Sequence, residues 1–358
     1  MVSRRLFAPL VVAITVGGMV IPATVAPGAG LAWLLFVGSS VHVAATAALF
    51  SFADVRRHAY ANLRRYLAAP LALVAIAAAT AALLPERQLS LLILGFLGWQ
   101  LWHYQQQNLG LAALAARATG QPALTTTERR CIRTSAAAGI LALIAHPQVT
   151  QLVDIRPPAS LTVTALAAAW LLITTALITV AAHRRRPSTT HLAVAFPLPL
   201  LLTTSPYAAL GGMTLAHGLQ YLLLVGLVVA GPANKRPSAT KATLLLTGVL
   251  AVAALLATAA HLHHGPAPTR AIFGAYLGIV MTHFVLDAGL WRLRDPFPRQ
   301  WLNQRLPALL ADTSAAGIAS PPWPRPRPPT ASVTSGSTPA RPRSSSPAWP
   351  KDPSTATR

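Results

Sequence analysis

The stretch from Thr282 to Arg294 carries a histidine and a carboxylate, His283 and Asp287, four residues apart. If this stretch is helical, residues at that spacing lie on one face and their side chains are neighbours. Asp287 is also the one acidic residue inside any of the strongly apolar segments of the sequence. An ionisable group in such a segment is costly and is usually functional, so we predict a catalytic or binding site around Asp287.

Isolated histidines occur in four separate apolar segments, at His42, His103, His217 and His283. Neutral imidazole is the commonest metal ligand, and its second ring nitrogen usually donates to a carboxylate or carbonyl that orients the ring. The chain has a single cysteine, which excludes a site built from several thiolates. We therefore predict a metal site with His42, His217 and His283 as ligands. His103 is predicted to be a further ligand or a proton donor, and Asp287 to orient a ligand or bind the metal.

Depth along the predicted helices divides these residues into two layers. Counted at 1.5 Å per residue from the expected cytoplasmic helix ends, His42, His217 and His283 lie roughly 18, 22 and 14 Å deep. His103 and Asp287 lie at roughly 6 and 8 Å by the same rule, in a layer nearer the cytoplasm.

Four further polar residues are secondary candidates because they lie beside these groups at helical spacing: Gln107, Gln220, Tyr221 and Arg294. Arg294 extends the stripe of His283 and Asp287 along the same predicted helix face.

The composition places these residues in a membrane protein. Hydrophobic residues make up 53% of the 358 residues and charged residues 10%, which is too apolar for an ordinary water-soluble domain. The formal net charge of +21 comes from short Arg runs between apolar segments and from the C-terminal region, which is not the pattern of a folded nucleic-acid-binding face. Nucleic acid is therefore not an expected partner.

The predicted fold is all-α, a polytopic transmembrane helix bundle of about ten helices (8–10). The apolar segments are approximately Leu6–Val25, Leu31–Phe52, Leu67–Leu84, Leu89–Tyr104, Ser135–Ile144, Leu161–Ala182, Leu192–Thr203, Tyr207–Ala230, Ala242–Ala260 and Ala271–Trp291. Most have the ~20 residues that cross a bilayer. The first segment is interpreted as an uncleaved helix, with a cleaved signal peptide as the alternative. Pro197 and Pro199 indicate that their segment is kinked, tilted or re-entrant.

Basic residues predict the orientation of the bundle. They cluster in alternate loops, at Arg4–Arg5, Arg56–Arg65, Arg117–Arg133, Arg184–Arg186, Lys235–Lys241 and Arg292–Arg305. By the positive-inside rule these loops and both termini are cytoplasmic, in a multi-pass protein of a bacterial-type inner (plasma) membrane. The transmembrane helical domain is predicted at residues 1–312. Residues 313–358 are rich in Pro, Ser and Arg and are predicted to form a disordered cytoplasmic tail.

In helix number and histidine placement the chain resembles the bacterial Brp/Blh-type carotene dioxygenases, whose transmembrane histidines hold an iron that cleaves a lipid-soluble polyene. The resemblance makes His42, His103, His217 and His283 the expected equivalents of those histidines and non-haem iron the expected cofactor. The predicted activity is that of an oxidoreductase on a lipid-soluble substrate, with membrane lipid or a lipid-soluble small molecule and a redox partner as the expected partners.

Two other functions fit the same residues. A transporter or channel would use the stripe of His283, Asp287 and Arg294 to handle protons or a cation. A haem-binding electron carrier would use two helix histidines as axial ligands.

Overall fold

The computed structural model describes residues 4–24, 29–146, 160–181, 189–202, 205–232 and 238–310, and within these ranges all regular structure is helical. The helices are α1 (Arg4–Thr24), α2 (Ala29–Leu49), α3 (Ala53–Tyr60), α4 (Ala69–Leu83), α5 (Glu86–Ala118), α6 (Thr126–Ala145), α7 (Ser160–Ala181), α8 (Thr189–Ala195), α9 (Pro199–Leu202), α10 (Pro206–Ala230), α11 (Ala239–Ala260), α12 (Ala267–Leu290), α13 (Pro296–Arg305) and α14 (Pro307–Leu310). A π-helical turn, Arg64–Ala68, leads directly into α4. The tail predicted at residues 313–358 lies outside the described residues.

Six of the described helices are long and apolar enough to cross a membrane. The candidate spans are Arg4–Ile21, Arg64–Leu83, Leu161–Ala181, Tyr207–Ala230, Ala239–Ala260 and Ala267–Leu290. Several of these helices expose large apolar side chains on their outer surface, among them Leu172, Leu244 and Leu255. The prediction of an all-helical chain with several membrane-length helices is confirmed, and the chain has the character of a multi-pass membrane protein.

The boundaries of two predicted segments were wrong. The helix expected to end near Tyr104 continues to Ala118 as α5, through the polar run Gln105–Asn108. This run stays helical inside the protein because its side chains find partners on other helices, for example Gln105, whose Nε2 donates to Ser135 Oγ at 2.7 Å. Helix α6 begins at Thr126 instead of Ser135, where Thr125 and Glu128 form a capping box. Hydropathy marks only the apolar part of each helix.

The segment predicted at Leu192–Thr203 is broken into two short helices. Helix α8 ends at Ala195, residues 196–198 form a turn, and α9 begins at Pro199. Proline lacks the amide hydrogen needed for the helical ladder and its ring clashes with the preceding turn. Pro197 and Pro199 therefore account for the break that the sequence indicated.

Glycines allow two helix pairs to pack closely, and each pair carries a residue of the predicted site. In α12, a Cβ at Gly278 would lie 2.5 Å from Val74 Cα on α4, and one at Gly274 would lie 2.7 Å from Ala81 Cβ. In α10, a Cβ at Gly212 would lie 2.9 Å from the Met19 carbonyl oxygen on α1. Small residues at helix contacts are the usual means of close packing within a membrane.

The contact at Gly212 yields a test, because α10 also contains Gly226, where an added Cβ would meet nothing within 4 Å. We expect Gly212→Ala to destabilise the protein by about 1–3 kcal/mol through overpacking. Gly226→Ala should be neutral or stabilise by up to about 1 kcal/mol. Unfolding of the two variants in detergent micelles compares them directly, and equal effects would contradict the packing of α10 on α1.

Candidate metal centre

Four helices bring the four predicted histidines into one buried cluster: His42 on α2, His103 on α5, His217 on α10 and His283 on α12. The ring centroids are 4.9 Å apart for His42 and His217, 5.0 Å for His42 and His283, 5.1 Å for His103 and His217, and 5.2 Å for His103 and His283. We call these four side chains together with Asp287 the histidine cluster.

The separation into two layers was wrong. Asp287 Oδ2 lies 3.6 Å from His283 Nε2 and 3.9 Å from His103 Nε2, so the acid and His103 belong to the same cluster as the other histidines. The depth of His103 was counted from an expected helix end near Gln107, but α5 continues to Ala118. The extra turns place His103 roughly 22 Å from the end of its helix at 1.5 Å per residue, close to the depths of His42 and His217.

Two overlapping groups of side chains have the spacing of metal ligands. One consists of His42, His217 and His283, and the other of His103, His283 and Asp287; in each group the candidate ligand atoms lie within 4.8 Å of one another. Around a tetrahedral ion with bonds of ~2.1 Å the ligand atoms are ~3.4 Å apart. The distances from Asp287 Oδ2 to the two imidazole nitrogens therefore need only small adjustments to admit an ion.

A chain of hydrogen bonds assigns the protons of His283. The Tyr221 hydroxyl donates to Asp287 Oδ1 at 2.9 Å and lies 2.9 Å from Thr46 Oγ1, which in turn lies 2.6 Å from His283 Nδ1. Tyr221 uses its one proton on Asp287 Oδ1, so the Thr46 hydroxyl must donate to Tyr221. Thr46 consequently accepts from Nδ1–H of His283, and Nε2 of that ring carries a lone pair.

The lone pair on His283 Nε2 points into the cluster. Within the described part of the chain this nitrogen has no hydrogen-bond partner, and the same holds for His103 Nε2 and for both ring nitrogens of His217. A buried polar atom left without a partner costs about 1–3 kcal/mol. His283 Nε2 and Asp287 Oδ2 face each other at 3.6 Å, and a cation between them, whether a metal ion or a proton, would satisfy both atoms.

Amide side chains support the cluster from outside. Gln107 Nε2 donates to the His217 carbonyl oxygen and to Gln220 Oε1, both at 3.0 Å. Gln220 Nε2 donates to Thr15 Oγ1 on α1 at 2.7 Å and to Asn108 Oδ1 at 3.3 Å. The predicted secondary candidates Gln107 and Gln220 therefore bind neighbouring helices together around His217, while Tyr221 contacts the cluster itself through Asp287.

Arg294 is not part of this arrangement. Helix α12 ends at Leu290 with Trp291 at its C-cap, so the helical periodicity that placed Arg294 below Asp287 stops before it. Its side chain is 75% exposed and lies 3.9 Å from Asp295. The predicted stripe of His283, Asp287 and Arg294 is therefore reduced to its first two members.

Three histidines outside the membrane-length helices do not belong to the cluster. They are His58, His263 and His264. His263 packs 4.2 Å from the ring of His264, and burial followed by this neighbour lowers the pKa of His263. His58 stacks on Phe297 with ring centroids 4.0 Å apart, and burial followed by the Arg65 charge lowers its pKa. The metal-ligand groups found among the described residues do not include these side chains.

Three more residues surround the cluster and were not predicted from the sequence as site residues. They are Phe284, Tyr104 and Thr46. Phe284 stacks on His103 with centroids 4.3 Å apart, and Tyr104 lies 4.3 Å from the ring of His217. Thr46 binds His283 and Tyr221. A signal for Thr46 exists, since it follows His42 by four residues on the same helix face. The roles of Phe284 and Tyr104 depend on contacts between distant helices.

In comparisons with known proteins, no family model matches the chain, no curated protein matches it, and no solved structure matches it. The function is therefore inferred from the geometry of the histidine cluster within its helices.

The proton assignment predicts that Thr46 controls metal binding. Thr46→Val keeps the side-chain shape but removes the acceptor that holds His283 Nδ1–H, and loss of such an orienting partner typically lowers metal affinity 10–100-fold. Thr46→Ser should retain the affinity. Competition titrations of Co²⁺ and Zn²⁺ with the detergent-purified protein measure the effect. As a matched control, Thr80→Val removes a hydroxyl that donates to the Ile76 carbonyl in its own helix, away from the cluster. Equal affinities for Thr46→Val and the unmodified protein would refute the assignment.

Proposed function

We propose that this chain is a metalloprotein of a bacterial-type inner membrane that binds non-haem iron in the histidine cluster and oxidises a lipid-soluble substrate. The observation that carries the proposal is the buried pair of His283 Nε2 and Asp287 Oδ2, 3.6 Å apart, beside imidazole nitrogens of His103 and His217 that have no hydrogen-bond partner among the described residues. In the proposed site His42, His217 and His283 are ligands, His103 is a ligand or a proton donor, and Asp287 is a ligand that Tyr221 orients.

The ligand types support iron. Imidazole nitrogens suit iron, zinc, copper and nickel, whereas two histidines and one carboxylate with open positions are typical of non-haem Fe(II) oxygenases. His103, His283 and Asp287 supply that combination. The resemblance in histidine placement to the Brp/Blh-type carotene dioxygenases points to the same metal. When bound, iron would supply the activation of dioxygen.

The position of the cluster supports a lipid-soluble substrate. His217 and His283 belong to candidate membrane spans, Tyr207–Ala230 and Ala267–Leu290, and Phe284 and Trp99 add apolar surface beside His103. With these spans across the bilayer, the cluster would lie at the level of the hydrocarbon phase, in which a lipid-soluble substrate dissolves. The protein's own contribution is a dry interior with fixed polar groups, in which electrostatic interactions are stronger than in water.

The proposed topology has ten membrane crossings and cytoplasmic termini. Beyond the six candidate spans, the crossings would be α2, α5, α6 and the broken segment formed by α8 and α9. This arrangement keeps the Arg-rich loops on one side of the membrane, as the positive-inside rule requires.

The two alternative functions have less support. A transporter based on the stripe of His283, Asp287 and Arg294 loses its third member, because Arg294 lies outside α12. A haem would have to fit between two axial imidazoles. His217 and His283 have ring centroids 6.3 Å apart, but His42 lies 4.9 and 5.0 Å from these two rings and His103 5.1 and 5.2 Å. A bare ion needs much less room.

Metal analysis tests the proposed site. We expect the purified full-length protein to contain about one iron per chain and to lack a haem absorption band. His217→Ala and His283→Ala should lose the iron because each removes a ligand, whereas His263→Ala, the same change in a histidine outside the cluster, should retain it. A haem band would favour the electron carrier. Absence of any metal, after reconstitution with Fe²⁺ under anaerobic conditions, would refute the proposed function.

Cysteine labelling tests the topology. In a Cys131→Ser background, Arg57→Cys should react with a membrane-impermeant maleimide only in inverted vesicles, and Glu86→Cys only in right-side-out cells. Both positions are exposed, so failure to label is not expected from burial. Labelling of both residues from the same side would contradict the proposed crossing by the segment that contains α4.

A further inference from the structure

Two tyrosines flank the histidine cluster and are alike in burial and distance. Tyr104 on α5 and Tyr221 on α10 are each 1% exposed. The ring of Tyr104 lies 4.3 Å from that of His217, and the ring of Tyr221 lies 5.0 Å from that of His283. By proximity alone either tyrosine is able to exchange an electron with a metal held by these histidines.

The hydroxyl partners of the two tyrosines differ. Tyr104 donates to Thr214 Oγ1 at 2.7 Å and accepts from Gln100 Nε2, and the Thr214 hydroxyl donates onward to the Leu210 carbonyl at 2.8 Å. All of these partners are neutral. Tyr221 donates instead to the carboxylate of Asp287 at 2.9 Å. Of the two tyrosines, Tyr221 is therefore the one bonded to a base.

That difference decides which tyrosine can be oxidised. Removal of one electron from a phenol leaves a positive charge unless the hydroxyl proton departs at the same time, and an unpaired charge in an apolar interior is very costly. Asp287, ionised as a metal ligand, can take the proton of Tyr221, and both groups are then neutral. Thr214 and Gln100 cannot take the proton of Tyr104 without themselves becoming charged.

We propose that Tyr221 is the one-electron, one-proton donor of the histidine cluster, an inference that rests on the proposed iron site. With iron bound and oxidised by dioxygen, Tyr221 would give up one electron to the metal while its phenolic O–H bond breaks and an O–H bond forms on Asp287 Oδ1. Tyr221 would become a neutral radical and Asp287 a neutral acid.

Thr46 makes this exchange compatible with metal binding. Its hydroxyl donates to the oxygen of Tyr221 before and after the proton leaves, so it continues to accept from His283 Nδ1–H. The tautomer of His283 is therefore unchanged when Tyr221 is oxidised. The arrangement places a ligand, its orienting hydroxyl, the tyrosine and the proton acceptor in one closed ring of contacts.

Electron paramagnetic resonance of the iron-loaded, full-length protein tests the proposal. The protein is mixed with dioxygen or hydrogen peroxide and frozen rapidly. We expect an organic radical with tyrosyl hyperfine structure in the unmodified protein, loss of that signal in Tyr221→Phe, and its retention in Tyr104→Phe. Substitution of 3,5-difluorotyrosine at position 221 keeps the ring and the hydroxyl, and should add fluorine splitting to the signal even if Tyr221→Phe proves too unstable to study.

The outcomes separate this inference from the proposed function. If the protein binds no iron, or if the iron stays Fe²⁺ in the presence of the oxidants, the proposed oxidative function fails. If the iron is oxidised but no radical forms, if the radical persists in Tyr221→Phe or disappears in Tyr104→Phe, or if difluorotyrosine at position 221 adds no splitting, then the role of Tyr221 is overturned while the iron site stands.

Discussion

The interior of this helix bundle holds Nε2 of His283 and Oδ2 of Asp287 face to face, 3.6 Å apart. Because a buried carboxylate is costly without a counter-charge, this pair favours a positive charge between its two atoms, as a metal ion or as a proton. Relief by rotation of the imidazole is prevented, because Thr46 holds Nδ1 of the same ring at 2.6 Å. The surrounding helices therefore hold an imidazole nitrogen and a carboxyl oxygen at a spacing that a metal ion can fill.

The scaffold that maintains this arrangement has two kinds of contact. Glycines bring α12 against α4 and α10 against α1, so the backbones that carry His283 and His217 cannot slide without a steric clash. Amide hydrogen bonds then fix α5 to α10, since Gln107 binds both the backbone carbonyl and a side chain of α10. Close packing sets the distance between helices and the amides set their register. Small residues and polar side chains serve the same two purposes in membrane proteins generally.

Much of the site could be predicted from single residues, and the part that could not depends on pairs. His42, His217, His283 and Asp287 stood out because an isolated ionisable group in an apolar segment needs a reason. The depth of His103 was wrong because the hydropathy signal ends at Tyr104, although the helix continues through glutamines that are satisfied by other helices. Arg294 was misplaced for the opposite reason, since a helical pattern continued in the sequence after the helix had ended. The bond from Thr46 to His283 joins residues 237 positions apart, and no local pattern reports such a pairing.

Asp287 also determines the charge of the proposed centre. Four neutral imidazoles do not reduce the charge of a divalent ion. The carboxylate of Asp287 would lower the net charge of the metal and its ligands from about two to one, which makes burial in an apolar interior much less costly. The same carboxylate accepts the Tyr221 hydrogen bond through its other oxygen. Transfer of the tyrosine proton to Asp287 would remove the negative charge from the ligand set at the moment when the iron gains an electron and loses one unit of positive charge. The net charge of the iron and its ligands would therefore stay the same. The hydrogen-bond partners of Tyr104 are neutral, so its oxidation would not be compensated in this way.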